Sequence, residues 1–362
     1  MEFGLSDDQR MFQDSIKGYL ESAAALDEIR NVAEGDVKKS RAMSAGVAEL
    51  GVTQVLIPER YGGLGLGLLD AALIQEAFGA AVAPVDHLAT AMAIVGIESA
   101  GTEAEKTEWL TQIATGQVRM GVAVAESVGA REDAGVTAAR GRLSGNSLFA
   151  LESQNATHIL VADADGRLHM AARGDAIQRR AHLTIDRTRD LAELVFNNAP
   201  AVTLNGENTP GSAVDRVIEA GRLLLAADTL GAAQAMLDKA VEYAKERKQF
   251  NRVIGSFQSV KHLCAEMAAQ LEPARALVWH AAHAVDETMD DGALMVCLAK
   301  SHLSEVGTFI ARTSTEVHGG MGFTDLVGLH YWFKRIGTNR QLLGGPEKVR
   351  EDAARLQGWA KV

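Results

Sequence analysis

Two short stretches of this sequence carry residue types that could bind a phosphorylated ligand. The first spans residues 246–258 and includes Arg247, the amide side chains of Gln249 and Gln258, and the aromatic ring of Phe250. An arginine at the carboxyl end of a helix can simply interact with the helix dipole. It can also present a planar fork of N–H donors to a phosphate group. Residue types alone leave both interpretations open.

The second stretch spans residues 316–323 and contains Glu316, His318 and the pair Gly319-Gly320. Glycines after a helix let a ligand approach backbone N–H groups closely. The same glycines are equally typical of an ordinary helix C-terminal cap. A single histidine such as His318 is more often a structural residue of the core than a ligand.

Composition limits the classes of protein to which the chain can belong. Its 362 residues include 36 Lys and Arg against 47 Asp and Glu, and the net charge of −11 argues against a general nucleic-acid binder, which needs cations to neutralise phosphates. A hydrophobic content of 47% with only 6 prolines predicts a globular protein with a substantial core. Cys264 and Cys297, without any Cys-x-x-Cys pattern, are expected to be core thiols in a reducing compartment.

No segment predicts export, a membrane span or a metal site. The first residues are acidic, unlike the basic start of a signal peptide. The most apolar stretch, residues 79–101, is interrupted by Asp86 and Glu98, which a membrane helix would exclude. His280 and His283 are three residues apart, but no third ligand follows at a fitting spacing. We therefore expect a cytoplasmic protein without a bound metal.

The elements that must position these residues fall into three segments. Helical spacing of apolar residues predicts an N-terminal α-helical domain at 1–116. Period-two alternation then predicts a middle β domain at 117–206, small and antiparallel, with one of its turns at 142–145. The remainder, 207–362, is rich in Ala and Leu and predicts a helical bundle. Its three long helices are expected at about 212–247, 257–285 and 292–317.

Together with Tyr61-Gly62-Gly63, and in this order of segments, the two stretches resemble the recurring signatures of the acyl-CoA dehydrogenase family. The likeness covers nearly the whole chain. It implies a mostly α protein with a central β domain: an N-terminal helical domain, a small antiparallel β-barrel domain and a C-terminal four-helix bundle. It also implies a noncovalent FAD that lies between the β domain and the bundle and is shared with a neighbouring subunit.

The resemblance assigns roles to the two stretches. Arg247 would meet the FAD pyrophosphate from the neighbouring subunit, and Gln249 and Phe250 would line the flavin end of that contact. Gln258 would lie on the adenine-ribitol side, and Gly319-Gly320 on the adenine side. Glu316 stands where the family usually has the Gln that precedes the glycine turn.

The middle domain departs further from the family pattern. The family holds its flavin with a Thr-Glu-Pro segment and a following Gly-Ser-Asp, whereas this chain reads Val-Ala-Glu-Ser-Val-Gly-Ala-Arg-Glu-Asp over residues 124–133. Glu126 is retained, and the backbone N–H groups of Ala125 and Glu126 are implied donors to the flavin ring. Phe149 falls where the family stacks a Trp near the flavin.

The catalytic base is the largest departure. The reaction implied by the resemblance removes a proton alpha to a thioester carbonyl, which requires a carboxylate within about 3 Å. The two positions that hold this carboxylate in the family correspond here to Leu343 and Gly221. Asp228, seven residues after Gly221 on the same helix face, is the substitute that we predict as the base. The alternative is that Asp228 pairs with a basic or hydroxyl partner inside the bundle. Glu219 and Glu347 are weaker candidates because they face differently.

Three functions remain open. The first is an FAD-dependent acyl-CoA dehydrogenase with a displaced base, which passes electrons to an electron-transfer flavoprotein and forms a homo-oligomer. The second is a non-catalytic partner subunit of a heterotetrameric acyl-CoA dehydrogenase that acts on ring or sterol side-chain thioesters, because residues 328–344 are similar to the shorter, small-subunit members. The third is a flavin oxidase or monooxygenase on the same fold. The acyl-CoA substrate itself is not identified by the sequence.

Overall fold

A computed structural model describes residues 4–129, 134–209 and 211–360. The chain forms two compact units. The first unit consists of Met1–Gly35, Ala72–Ala83 and Arg222–Val362. The second unit consists of Asp36–Ala71 and Pro84–Gly221. The division into domains at 1–116, 117–206 and 207–362 stays a prediction.

The N-terminal part of the chain is helical, as its periodicity predicts. Its six helices among the described residues are α1 (Asp7–Ala23), α2 (Leu26–Ala33), α3 (Val37–Glu49), α4 (Leu68–Ala81), α5 (Leu88–Ala100) and α6 (Glu103–Ala114). Capping boxes open α1 and α6: the Ser6 hydroxyl accepts a hydrogen bond from the Gln9 N–H while the Gln9 side chain accepts one from the Ser6 N–H. These local interactions fix where the two helices begin.

A mixed β-sheet forms the centre of the second unit. Its strands are β1 (Met120–Ala123), β2 (Gly135–Ala139), β3 (Arg142–Leu151), β4 (His158–Ala162), β5 (Leu168–Ala172), β6 (Ile177–Ala181), β7 (Leu191–Pro200) and β8 (Val202–Thr203). The strand order is β6-β7-β3-β1-β4-β5-β8, and β2 pairs with β3. One face of the sheet buries a cluster that includes Leu143, Ile159, Val161 and Phe196.

The sheet corrects three details of the sequence prediction. Among the described residues the strand path has two free ends, β6 and β8, so the predicted closed barrel is wrong. The sheet is not purely antiparallel either, because β1 and β4 run parallel, with Met120 opposite His158. The hairpin of β2 and β3 intervenes in the chain between these two strands, which lets β4 return beside β1 in the same direction. The predicted turn at 142–145 is the start of β3, and the turn lies at Arg140-Gly141, both with positive φ.

Five helices make up the C-terminal part of the chain within the described residues. They are α7 (Ser212–Glu246), α8 (Gln258–Asp286), α9 (Gly292–His318), α10 (Leu329–Gln341) and α11 (Pro346–Leu356). The three long helices match the predicted ones to within one or two residues at each end. The helices α8, α10 and α11 pack on α9. The stretch Gly292–Phe323 has the length and apolar composition of a membrane span, but 56% of its most apolar window is buried, as in the core helix of a bundle.

Two glycines bring α4 and α7 into backbone contact inside the first unit. A Cβ added at Gly79 would lie 1.9 Å from the main-chain oxygen of Asp228. A Cβ added at Gly231 would lie 1.8 Å from the main-chain oxygen of Glu76. No side chain fits at either position, so this close crossing requires glycine on both helices. It places the α4 segment 72–83 directly against the middle of α7.

Candidate functional site

A short β-hairpin follows α7 and carries the first candidate stretch. Its strands are β9 (Lys248–Gln249) and β10 (Arg252–Val253), which pair antiparallel with Gln249 opposite Arg252. Phe250 and Asn251 form the two-residue connection, and both have positive φ, at 51° and 64°. These angles are those of a type I′ turn, whose twist matches that of the flanking strands. The hairpin therefore has a defined shape.

The side chains of this hairpin are presented to solvent. Arg247, Gln249 and Gln258 are exposed, and 86% of Phe250 is exposed. Phe250 meets the edge of the Phe257 ring at a centroid distance of 6.1 Å, and the guanidinium of Arg252 lies 3.9 Å from the centre of the same ring. A cation, an amide and an aromatic face are thus available together to a ligand. This donor set fits a pyrophosphate joined to a flat ring system.

The glycine turn lies at the same end of the first unit. The helix α9 ends at His318, and Gly319 has a φ of 55°. A Cβ added at Gly319 or Gly320 would meet nothing within 4 Å, so both residues face open space. His318 stacks on Tyr243 in the last turn of α7, with ring centroids 4.7 Å apart. This stack joins the ends of α9 and α7, and it brings the glycine turn and the hairpin to one end of the bundle.

The last turn of α9 contains one buried side chain, His318, and one exposed side chain, Glu316. His318 is buried, its Nδ1 lies 2.7 Å from the main-chain oxygen of Ser314, and burial lowers the pKa of the imidazole. His318 is therefore a structural residue of the core. Glu316 is exposed on the opposite side of the turn. Its carboxylate would stand near any anion bound at Gly319-Gly320.

In the second unit, the residues predicted to meet a flavin lie on and beside β3. Glu126 accepts hydrogen bonds from the Ser147 hydroxyl at 2.7 Å and from the Leu148 N–H at 2.6 Å, which ties the 125–128 turn to β3. Ala125 in the same turn is buried. Phe149 is 42% exposed, and its ring centroid lies 5.2 Å from that of His182. Residues 130–133 of the predicted flavin stretch lie outside the described residues.

Asp228, the predicted base, is completely buried in the first unit. One carboxylate oxygen accepts a hydrogen bond from the Asn339 amide at 2.6 Å. The other accepts from the Gln75 amide at 2.7 Å and from the Arg335 guanidinium at 3.3 Å. The structure therefore contains the alternative arrangement, in which Asp228 pairs with a basic partner inside the bundle. Both oxygens are engaged by donors of the chain itself.

The two positions that carry the catalytic base in the family are occupied here by Leu343 and Gly221, and neither is acidic. Leu343 is buried with a φ of 56°, an uncommon conformation for a bulky residue. Its main-chain oxygen accepts a hydrogen bond from the Arg222 guanidinium at 2.9 Å, and Arg222 also donates to Asp352 at 2.7 Å. Gly221, the second position, is buried within α7. Neither position offers an acid.

A second buried basic residue, Lys300, supports the same loop. Lys300 in α9 donates to the main-chain oxygens of Asn339 at 2.5 Å and Arg340 at 3.3 Å, at the end of α10. Burial, reinforced by the nearby cations Arg222 and Arg340, lowers the pKa of Lys300 to about 7. Sequence reasoning missed Arg222 and Lys300. The available signal was a single charge inside each of two apolar helical runs.

The weaker base candidates are also engaged. Glu219 forms an ion pair with Arg216 one turn earlier on α7, at 3.2 Å. Glu347 begins α11 with a 76% exposed side chain, 3.6 Å from the Arg340 guanidinium. Each of the three candidate bases, Asp228, Glu219 and Glu347, therefore has a partner of opposite charge among the described residues.

Comparison with known protein families matches both helical parts of the chain. Residues 6–117 match the acyl-CoA dehydrogenase N-terminal domain, and residues 212–356 match the acyl-CoA dehydrogenase C-terminal domain. Acyl-CoA dehydrogenase IpdE2 of Mycobacterium tuberculosis is 31% identical over 301 residues, covering 83% of this chain and 81% of the relative. IpdE2 of Mycolicibacterium smegmatis is 28% identical over 354 residues, covering 98% and 99%.

Solved structures share the fold over the full length. The Tcur3481-Tcur3483 steroid ACAD G363A variant superposes with a TM-score of 0.88 at 26% identity, covering 97% of this chain and 98% of that one. Butyryl-CoA dehydrogenase from Megasphaera elsdenii gives 0.84 at 23% identity, covering 99% of both chains. The resemblance drawn from the sequence motifs is confirmed. This chain belongs to the acyl-CoA dehydrogenase family of flavin-dependent oxidoreductases.

Proposed function

We propose that this chain is the subunit without a catalytic base in an acyl-CoA dehydrogenase built from two different chains. The observation that carries this proposal is the engagement of Asp228 by Arg335, Asn339 and Gln75. With Leu343 and Gly221 at the usual positions, a substrate on this chain meets no free carboxylate at those positions. A partner chain then has to supply the group that removes the alpha proton.

The cofactor we propose is FAD, which accepts the hydride from the beta carbon of the acyl thioester when it is bound. The groups at the end of the first unit fit such an anionic dinucleotide. Arg247 would neutralise the pyrophosphate, Gln249 would donate its amide, and the N–H groups of Gly319-Gly320 would face the adenine side. In a chain with a net charge of −11, the exposed Arg247, Lys248 and Arg252 make this end locally basic.

The second unit would contribute to a flavin through its own residues. Phe149 offers a 42% exposed ring for stacking, in place of the Trp of the family. The backbone at Ala125-Glu126 is held in place because the Glu126 carboxylate is hydrogen-bonded to β3. This fixed turn supports the proposal that its N–H groups serve as donors.

Apolar exposure at the end of the bundle supports a shared interface. Phe250 is 86% exposed and Phe323, at the end of the glycine turn, is 80% exposed. Large apolar side chains that stand exposed beside a basic ligand site are typical of surfaces that another subunit covers. We propose that the cofactor and a second acyl-CoA dehydrogenase chain cover them in a heterotetramer.

The relatives guide the substrate and the electron acceptor of the proposal. One structural relative, Tcur3481-Tcur3483, is described as a steroid ACAD, which supports CoA thioesters of rings or sterol side chains as substrates. Another is described in terms of an electron-transferring flavoprotein, which supports such a protein as the electron acceptor. We place this system in the cytoplasm.

Flavin content on purification tests the proposal. The chain should be colourless when it is produced alone. It should gain about one FAD per pair of chains when it is co-expressed with a base-bearing acyl-CoA dehydrogenase chain from the same genome. The complex should then be bleached anaerobically by the acyl-CoA substrate.

The alternatives give different results in the same experiment. A chain that is yellow by itself and is bleached by an acyl-CoA would overturn the proposal and support a homo-oligomer with a displaced base. Hydrogen peroxide formed in step with substrate loss would support a flavin oxidase instead. The variant Leu343→Glu provides a further check. It restores an acid at the usual position of the base but adds no group that binds FAD, so the variant chain produced alone should remain colourless.

A further inference from the structure

A cavity of about 530 Å³ lies within the second unit. Its walls are formed by α3, the start of α5, the end of α6, the start of β1 and the segment between β3 and β4. This volume is in the range of small-molecule binding sites. None of the residues assigned to FAD by the family resemblance lines it. It therefore calls for its own explanation.

Two arginines converge at this cavity on a single asparagine. Arg41 donates to the side-chain oxygen of Asn155 from Nε at 3.4 Å and from Nη2 at 3.1 Å. Arg119 donates from Nε to the main-chain oxygen of Asn155 at 2.9 Å. Asn155 is only 7% exposed, and its amide nitrogen donates to Asp86 at 3.0 Å. The side-chain oxygen of Asn155 thus accepts from one guanidinium group and its main-chain oxygen from the other.

This geometry leaves donors available to a ligand. Both arginines are exposed side chains that line the cavity, and the Nε of Arg119 is the atom tied to Asn155. Its two terminal nitrogens have no acceptor among the described residues. A guanidinium group presents a planar pair of N–H donors that suits a carboxylate.

The remaining lining defines the rest of the ligand. Small apolar residues, Ala48, Ala114 and Val118 among them, form much of the wall and fit a short apolar body. The carboxyl groups of Asp86 and Glu49 also line the cavity, and they disfavour a doubly charged anion such as phosphate. We propose that this cavity binds a small monocarboxylic acid with a short apolar body.

The state of Glu152 supports the proposal. This fully buried residue lines the cavity, accepts a hydrogen bond from the Ala89 N–H at 2.8 Å, and lies 3.9 Å from Arg189. Burial, with the nearby charges of Asp86 and Asp190, raises the pKa of Glu152 to about 8 against the opposing effect of Arg189. The carboxyl is therefore protonated at neutral pH and can donate to a ligand carboxylate. Above pH 8 it ionises and repels one.

Calorimetric titration of the complete protein with sodium hexanoate tests the inference. We expect hexanoate to bind at pH 7 at least tenfold more tightly than hexanol, hexylamine or inorganic phosphate. Binding should weaken at pH 9. Arg119→Gln should weaken hexanoate binding at least tenfold, whereas Arg142→Gln, an exposed arginine at the start of β3, should leave it unchanged.

A second variant keeps the test decisive if Arg119→Gln disturbs folding. Ala48→Phe fills the apolar part of the cavity from α3 without removing either arginine, and it should also abolish hexanoate binding. Thermal unfolding of each variant reports whether it is folded. Hexanoate binding no tighter than that of hexanol would overturn the inference, as would unchanged binding in a folded Arg119→Gln or Ala48→Phe. Tighter binding of phosphate would overturn the choice of a carboxylate.

Discussion

The interior of the first unit and its exposed end use the same residue types for opposite purposes. Around Asp228, an arginine and two amides are buried and directed at a carboxylate of the chain itself. At the hairpin, Arg247 and Gln249 stand in solvent on a ribbon that a type I′ turn holds in place. The difference teaches that burial and partners, rather than residue type, decide which groups remain available to a ligand.

The contrast between the buried cluster and the exposed hairpin depends on Asp228 stabilising the fold rather than acting on a substrate. Replacement of Asp228 by Asn removes the carboxylate that forms a buried ion pair with the Arg335 guanidinium. We expect a loss of about 3–5 kcal/mol in the free energy of unfolding, the usual effect of breaking a buried ion pair. Urea unfolding followed by circular dichroism measures it.

Asp238→Asn is the matched control on the same helix. Asp238 is exposed and accepts one hydrogen bond from Gln234, so its replacement should change stability by less than about 0.5 kcal/mol. If Asp228→Asn unfolds at the wild-type urea concentration but abolishes bleaching of bound flavin, Asp228 is a base after all and the contrast between the two regions is lost.

The opposite result is expected at the exposed end. Arg247→Gln should leave stability unchanged but weaken FAD binding by the two-chain complex. A charge-assisted hydrogen bond contributes about 1.5–3 kcal/mol, so the FAD dissociation constant should rise roughly ten- to a hundredfold. Fluorescence titration with FAD measures this change.

Lys245→Gln serves as the control for Arg247→Gln. Lys245 lies in the last turn of α7, pairs with Glu242 and is also exposed, but no role toward a cofactor is assigned to it. Its replacement should leave the FAD dissociation constant within about twofold of the wild type, since an exposed ion pair contributes little. Equal losses in both variants would mean that the end of the bundle acts only through its overall charge.

Buried Lys300 predicts that the free energy of unfolding depends on pH, which exposed lysines should not do in the same range. Its pKa in the folded protein is about 7, below the ordinary value of 10.5, so unfolding takes up a proton between these two pH values and stability rises with pH there. Lys300→Met should remove a slope of at most about 1.4 kcal/mol per pH unit. Urea midpoints at pH 7.5 and pH 9, compared between variant and wild type, report it. Lys38→Met, at an exposed site, should keep the wild-type slope.

The smallest effect is expected at the turn of the hairpin. Phe250 adopts a positive φ of 51° that Asn tolerates better than an aromatic residue. Phe250→Asn should therefore raise the free energy of unfolding by about 0.5–1 kcal/mol. The same change should weaken FAD binding if the ring lines the flavin end. A variant that gains stability and binds FAD as before would show that the exposed ring serves another contact.

Local patterns predicted the helices well. The long helix expected at 212–247 is found at Ser212–Glu246, because its start and end depend on neighbouring residues. The strand order could not be predicted in the same way. Whether β4 returns beside β1, and whether the sheet closes, depends on packing between residues far apart in the chain. The barrel was inherited from the family resemblance and is wrong here.

The candidate site also has a part that local sequence patterns predict and a part that depends on contacts between distant residues. The hairpin and the glycine turn are contiguous motifs, so the sequence alone could propose their residues as ligand-binding candidates. The partners of Asp228 are not contiguous: Gln75 is 153 residues away and Arg335 is 107 residues away. Periodicity within one helix cannot indicate contacts between residues so far apart in the chain. The prediction of Asp228 as the base therefore did not include its hydrogen bonds to Gln75 and Arg335. Arg222 and Lys300 were missed for the same reason.

The glycine crossing of α4 and α7 has a consequence for dissection of the protein. A polypeptide that begins at residue 212, where the C-terminal family match starts, lacks residues 72–83 and hence Gln75. In this polypeptide the α7 backbone at Gly231 would lose its contact with α4 and become exposed to solvent. Asp228 would also lose the hydrogen bond that Gln75 donates. We therefore expect a polypeptide of the C-terminal helices alone to be less stable than the same helices with the α4 peptide supplied in trans.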